Sequence, residues 1–264
     1  MGKETGPGNH IRRVCFERFA DWENAIRENL ASQYELTFSD LWDVEPAAFD
    51  AVFPLQQMNY SHLDKYSFLR GKRFFVPDHE AVELCDDKLT LTKFLIAKGF
   101  GGWVPRLRPA GPPYPYIWKA RVGSFGQQCH IVRSTADEAA LNLRDPDWFA
   151  QAVTPGNVEY ATHILRANGE IRYVSTFGYK MAGALVVKGR TNKPIETQFR
   201  RDCYCLSLFS EILARIGYEG TACFNYKIQY GQPLIFEVNP RFGASLAGDI
   251  TAYCDAYIAA LSSV

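Results

Sequence analysis

Asn168-Gly169 separates two strand-like runs, Glu159 to Arg166 and Arg172 to Lys180, and commits this part of the chain to an antiparallel hairpin. Both residues tolerate the left-handed backbone that a two-residue hairpin turn demands. More strand-like runs flank the pair: Tyr116 to Ala120, Gln128 to Val132, Thr221 to Gln229 and Pro233 to Asn239. A long amphipathic helix is expected over Glu196 to Ile216, with Gly217 as its stop. From Tyr116 onward the chain reads as a mostly antiparallel α+β unit.

The first eighty or so residues have another texture. Val14 to Phe19 reads as a strand, Asp21 is placed to cap a helix reaching Ser32, and Tyr34 to Phe38 reads as a second strand. Phe49 to Leu55 has an unbroken Ala-Val-Phe core that suits a strand buried on both faces, and Arg73 to Val76 is a further short strand stopped by Pro77. That order predicts a small parallel α/β lobe. Asp86 and Asp87 then open a helix that ends at Gly99, and the proline-rich Arg106 to Pro115 is a loop.

Bulk properties remove several classes. With 29 basic and 29 acidic residues in 264, the chain lacks the electrostatic footprint of a nucleic-acid binder. No stretch approaches the roughly 20 apolar residues of a membrane-spanning helix, and Met1 to Arg13 has no apolar core of signal-peptide type. Seven scattered cysteines, mostly inside apolar runs, suit the reduced thiols of a cytoplasmic protein. Cys203 and Cys205 fall in the expected helix, where their spacing turns the thiols about 200° apart and disfavours a chelate. The five histidines share no ligand spacing and read as structural or surface residues.

The chemistry concentrates in Phe236-Glu237-Val238-Asn239-Pro240-Arg241. Alternation along a strand puts Glu237 and Asn239 on one face as neighbouring hard oxygen donors, suited to Mg²⁺ carried by nucleotide phosphates. Arg241, beyond the strand-ending proline, adds a planar cationic fork for phosphate or carboxylate. If the turn is the three-residue Tyr230-Gly231-Gln232, Asn225 falls opposite Glu237 and completes the oxygen cluster; a two-residue turn breaks that register. The plain alternative is a hairpin whose polar face meets solvent.

Two further segments add to it. The strand Tyr116 to Ala120 delivers Lys119 just before Gly123-Ser124-Phe125-Gly126, where glycines let backbone N–H groups approach anionic oxygens. Neither the P-loop pattern nor a G-x-G-x-x-G fingerprint is present. Gln151, Ala152 and Val153 lead into a Pro-Gly turn and then Glu159: backbone groups for an adenine edge, and a carboxylate for ribose hydroxyls. Each segment alone is equally an ordinary turn or linker.

Together these segments resemble the ATP-grasp superfamily, in particular its carboxylate–amine ligase branch, over roughly Phe49 to Leu246. Cys85-Asp86-Asp87-Lys88 joins the resemblance, and Glu237 to Arg241 is its most specific part. The resemblance implies an abbreviated Rossmann-like lobe over residues 1–84 and an ATP-grasp domain over 85–264. Within that domain, 85–150 includes the small lid and 151–264 forms the C-terminal subdomain. It implies that Lys88 and Lys119 contact ATP phosphates, that Gly123, Ser124 and Gly126 belong to a flap, and that Glu237, Asn239 and Asn225 hold Mg²⁺, with Mn²⁺ as an alternative. Arg241 then stabilises the transferred phosphoryl group. Asn225 is a departure, being neutral where relatives often carry a carboxylate or glutamine; the flap is also short. The implied partners are a small carboxylate and an amine, with a homodimer allowed for. Lys188, Ser245 and Gln56 are candidate substrate contacts. An ATP-grasp kinase, a non-amide ligase and an inactive nucleotide-binding module remain alternatives.

Overall fold

The computed structural model describes residues 11–123, 126, 128–189 and 192–263. The chain opens with β1 (Arg12–Glu17), α1 (Ala20–Asn29), β2 (Tyr34–Ser39) and β3 (Ala51–Phe53). These strands form a parallel sheet of order β2-β1-β3, as the alternation of strand and helix predicts. Asp21 is not a cap: Phe19 holds that position without a side-chain hydrogen bond, and Asp21 sits in the first turn, where its charge suits the helix dipole. Arg73 to Val76 does not form a strand. Isolated hydrogen bonds, such as Val52 N–H donating to the Arg73 carbonyl at 2.7 Å, and the buried side chains of Phe74, Phe75 and Val76 tie it to the lobe.

Next come α2 (His79–Asp86) and α3 (Lys88–Leu95). Asp87 is the N-cap of α3, accepting from Leu89 N at 3.0 Å and Thr90 N at 3.1 Å. β4 (Tyr116–Ala120), β5 (Cys129–Val132), α4 (Thr135–Ala139) and β6 (Trp148–Ala152) follow, the strands forming a three-stranded antiparallel sheet of order β5-β4-β6.

The remainder builds a five-stranded sheet of order β11-β10-β7-β8-β9. Its strands are β7 (Val158–Ala167), β8 (Glu170–Lys180), β9 (Glu196–Arg200), β10 (Gly220–Gln229) and β11 (Gln232–Asn239), with α5 (Leu206–Ile216) before β10 and α6 (Ile250–Leu261) at the end. Asn168 and Gly169 make the β7–β8 turn with φ of 55° and 80°. The helix expected over Glu196 to Ile216 begins instead as a strand. Glu196 to Arg200 pairs with β8 at the sheet edge, and the helix begins only at Leu206. Cys203 and Cys205 therefore lie before the helix, not within it; Cys205 is its N-cap.

Two large apolar cores fix these layers. Phe209, Ile212 and Leu213 of α5 pack with Leu91 and Leu95 of α3 against Ile164, Phe224 and Val238 of the five-stranded sheet. α6 returns to the first lobe, where Tyr253 and Tyr257 join Phe16 and Phe53. The Tyr257 hydroxyl accepts from Phe75 N–H at 2.6 Å and donates to the Val52 carbonyl at 3.1 Å, tying the last helix to β3.

Candidate active site

A cavity of about 370 Å³ lies between the three-stranded and five-stranded sheets. Lys88, Lys119, Gly123, Gly126, Gln151, Ala152, Val153, Glu159, Lys188, Asn225, Glu237, Asn239, Arg241 and Ser245 all line it. Ser124 lies outside the described residues. Gln56 does not line the cavity. Its amide nitrogen donates to Glu17 Oε1 at 3.0 Å, and its backbone N–H to Oε2 at 2.8 Å. Glu17 is buried at the carboxyl end of β1 and spends its acceptors on the loop that carries Gln56.

The β10–β11 hairpin reaches the expected Asn225–Glu237 pairing by an unexpected route. Its turn is the two-residue Tyr230-Gly231, with Gln229 opposite Gln232. That turn alone would misalign the pair by one residue. A bulge between Asn225 and Tyr226 takes up the extra residue and restores Asn225 opposite Glu237. Glu237 Oε1 accepts from Asn225 Nδ2 at 2.7 Å and from Asn239 Nδ2 at 3.1 Å, while Lys88 Nζ stands 3.5 Å from Oε2. Burial opposes ionisation of Glu237, yet Lys88 and the two amides prevail and hold its carboxyl below the ordinary range.

This cluster suits a hard cation. Among the described residues no three His, Cys, Asp or Glu side chains gather as a metal site. A metal here would rest on one carboxylate, two amide oxygens and the ligand's own phosphates, a donor set that matches Mg²⁺. Both amides already converge on one carboxylate oxygen, so turning either about its last bond exchanges nitrogen for oxygen at the same point.

The lysines arrive from two other elements. Asp87 caps α3 and forms an ion pair with Arg121, joining the start of that helix to the end of β4. Burial would raise Asp87, but the Arg121 and Thr90 hydrogen bonds hold it at about 2. The pair sets Lys88, whose Nζ donates to the Gly123 carbonyl at 2.6 Å. Lys119 points across the cavity from β4, its Nζ donating to the Phe236 carbonyl of β11 at 3.3 Å. Burial pushes its ammonium down to about 8; nearby Cys129 and Glu237 pull the other way.

Gly126 has a φ of 64°, and a Cβ there would fall 2.3 Å from the Lys188 carbonyl, so Gly126 and Lys188 meet closely only because this residue is glycine. Lys188 Nζ lies 3.6 Å from Glu159, which burial pushes upward against the pull of Lys188 and Lys227. On the hinge, Ala152 N–H donates to the Arg106 carbonyl at 2.8 Å, so it is not a free donor for an adenine edge.

Lys227, Cys223 and His163 are among the cavity residues that the sequence does not single out. Lys227 and Cys223 stand two positions either side of Asn225, and His163 four positions beyond Glu159. Extending the period of two from Asn225 and Glu159 would have found all three. His163 is buried; its Nε2 lies 2.8 Å from Ser245 Oγ and its Nδ1 has no partner. Burial, helped by the positive Lys188 and Arg241, pushes its imidazole down to about 3. Gly243 leaves the ring its space: a Cβ there would meet His163 Cε1 at 2.5 Å.

No family model matches this chain, and no curated protein does. Solved structures do. D-alanine–D-alanine ligase from Bacillus anthracis, complexed with ATP, superposes with a TM-score of 0.59 at 12% identity, over 96% of this chain and 97% of that one. An L-amino acid ligase from Bacillus licheniformis gives 0.61 at 15%, over 90% and 68%. The biotin carboxylase domain dimer of 2-oxoglutarate carboxylase from Hydrogenobacter thermophilus, holding MgADP and bicarbonate, gives 0.56 at 15%, over 96% and 70%. Identities this low speak for architecture alone, and the architecture is that of the ATP-grasp fold.

Proposed function

We propose that this chain is an ATP- and Mg²⁺-dependent ligase that activates a small-molecule carboxylate as an acyl-phosphate for attack by an amine. The observation that carries this reading is convergence: Glu237, Asn239, Asn225, Lys88, Lys119 and Arg241 come from separate elements to line one cavity. The likeness in fold to an ATP-bound D-alanine–D-alanine ligase supports it.

In this reading a carboxylate oxygen attacks the γ-phosphorus in line. The bond to the bridging oxygen breaks, and ADP leaves with that electron pair. The amine then attacks the acyl carbon, expels inorganic phosphate and loses its proton. Lys88, Lys119 and Arg241 offset the negative charge of the phosphates and of the oxygens between which the phosphoryl group passes. Glu237, Asn239 and Asn225 would hold Mg²⁺, which when bound neutralises phosphate charge. The adenosine contacts are the backbone groups of Gln151 to Val153, the engaged Ala152 N–H excepted, and the Glu159 carboxylate. Gly123, Gly126 and Lys188, which line the cavity, help to keep water from the acyl-phosphate. Seven free thiols fit the reducing cytoplasm as its location, and no described helix is long and apolar enough to cross a membrane.

Glu237→Gln tests the reading with little change of shape. Mg²⁺-dependent ADP release, measured over a panel of small carboxylates with hydroxylamine as the trapping nucleophile, is expected to fall about 10²–10³-fold. The melting temperature should hold. Parent-level turnover by the variant defeats the assignment. Nucleotide binding by the parent without turnover across the panel favours a binding module instead.

A further inference from the structure

The cavity distributes its charges unevenly. Both of its carboxylates are engaged: Glu237 by Lys88, Asn225 and Asn239, and Glu159 by Lys188, with Lys227 also near. Arg241 forms no ion pair among the described residues, and Asn239 stands between it and Glu237. Arg241 itself donates to the Phe242 carbonyl at 3.1 Å and the Asn239 amide oxygen at 3.5 Å, neither of which cancels its charge. Lys188 supplies the second cation, its Nζ 4.4 Å from the centre of the Tyr179 ring.

His163 and Tyr179 complete this end with groups that stay uncharged. A second proton on His163 would bury an N–H with no acceptor, beside two cations, because Nδ1 has no partner and Nε2 already faces Ser245 Oγ. Burial pushes the Tyr179 phenol up to about 12. Among the described residues lining the cavity, no carboxylate remains to meet an ammonium group bound next to Arg241.

Resting on the ligase reading above, we propose that the acid this enzyme activates carries no ammonium group on the carbon beside its carboxylate. A simple acid, a hydroxy acid or an N-acylated amino acid fits; a free amino acid does not. Arg241 takes the carboxylate, and Ser245, held by the His163 ring, offers a hydrogen bond to a neutral substituent. An ammonium in that position would be desolvated beside the Arg241 guanidinium, with the nearer carboxylate, Glu159, already held by Lys188. Neutral acids and amino acids of one shape would thus be told apart by repulsion.

The full chain with Mg-ATP and hydroxylamine tests this directly. Matched acids differ only in that substituent: lactate against alanine, phenyllactate against phenylalanine, N-acetylalanine against alanine. Hydroxamate and ADP are measured together. Like-charge juxtaposition predicts at least about a tenfold faster rate for the ammonium-free partner. An amino acid that equals or exceeds its partner overturns this proposal and leaves the ligase reading intact. Silence toward every acid, while calorimetry still records Mg-ATP binding, defeats the ligase reading and this proposal with it.

Discussion

The five-stranded sheet lays Glu159, His163, Asn225, Glu237 and Asn239 along the cavity, whereas the three-stranded sheet facing it supplies Lys119 and the peptide groups of Gln151 to Val153. Their foundations differ as much as their chemistry. Behind the larger sheet stand α3 and α5 in an extensive apolar core. The smaller sheet rests on a cluster of four buried residues, Tyr116, Trp118, Val132 and Ala150. On the proposed reading, the groups that would hold an ion sit on the more rigid wall, and the lysine that would meet a phosphate sits on the wall with less to hold it still.

Truncating one anchor on each side tests that contrast. Phe209→Ala removes a fully buried ring stacked on Phe224 at 4.2 Å and should cost about 3–5 kcal/mol of global stability. Trp118→Ala should act locally. Amide exchange should quicken across β4, β5 and β6 and the KM for ATP should rise, while β7 and β10 stay protected. Acceleration that spreads equally over both sheets would break the distinction.

A smaller effect concerns Lys119. Its ammonium titrates at about 8 rather than the ordinary 10.5, so in the nucleotide-free enzyme its charge is present below pH 8 and lost above it. Affinity for Mg-ATP should weaken by up to about tenfold between pH 7.5 and 9, and Lys119→Arg should flatten the profile. Stability moves the other way. Between the folded and unfolded values the unfolded chain binds more protons, so this residue makes the protein more stable as pH rises through that window. An unchanged profile in the arginine variant would remove Lys119 from phosphate contact.

The smallest effect is at the tip of the β10–β11 hairpin. Tyr230 is 97% exposed and held at a φ of 51°, where asparagine is more at ease. Tyr230→Asn should add roughly 0.5 kcal/mol, measured by denaturant unfolding, without altering turnover. A change in metal dependence would mean that the turn, and not the bulge, sets the Asn225–Glu237 pairing.

That pairing also marks how far the residues could be read in advance. Glu237 and Asn239 were visible as neighbours because side chains alternate along any strand. Asn225 was matched to Glu237 through a three-residue turn that does not exist; the bulge compensates, and no local pattern announces a bulge in the middle of an apolar strand. β9 was mistaken for helix because all five of its residues are exposed, leaving no buried face to imprint a period of two. His163 was passed over since a lone histidine has no spacing to recognise. Only packing gives it Ser245 on one side and an empty space at Gly243 on the other.

Local order along the chain was thus enough to specify the parallel first lobe, the Asn168-Gly169 and final hairpins, the capped start of α3 and the shared face of Glu237 and Asn239. These follow from steric preference and periodicity acting over a few residues. Folding alone brought Lys88 and Lys119 to the same cavity as Glu237, returned α6 to the first sheet, and left Arg241 without an ion pair among the described residues. Burial and electrostatic fields sum over groups far apart in sequence, and no run of neighbours contains that sum.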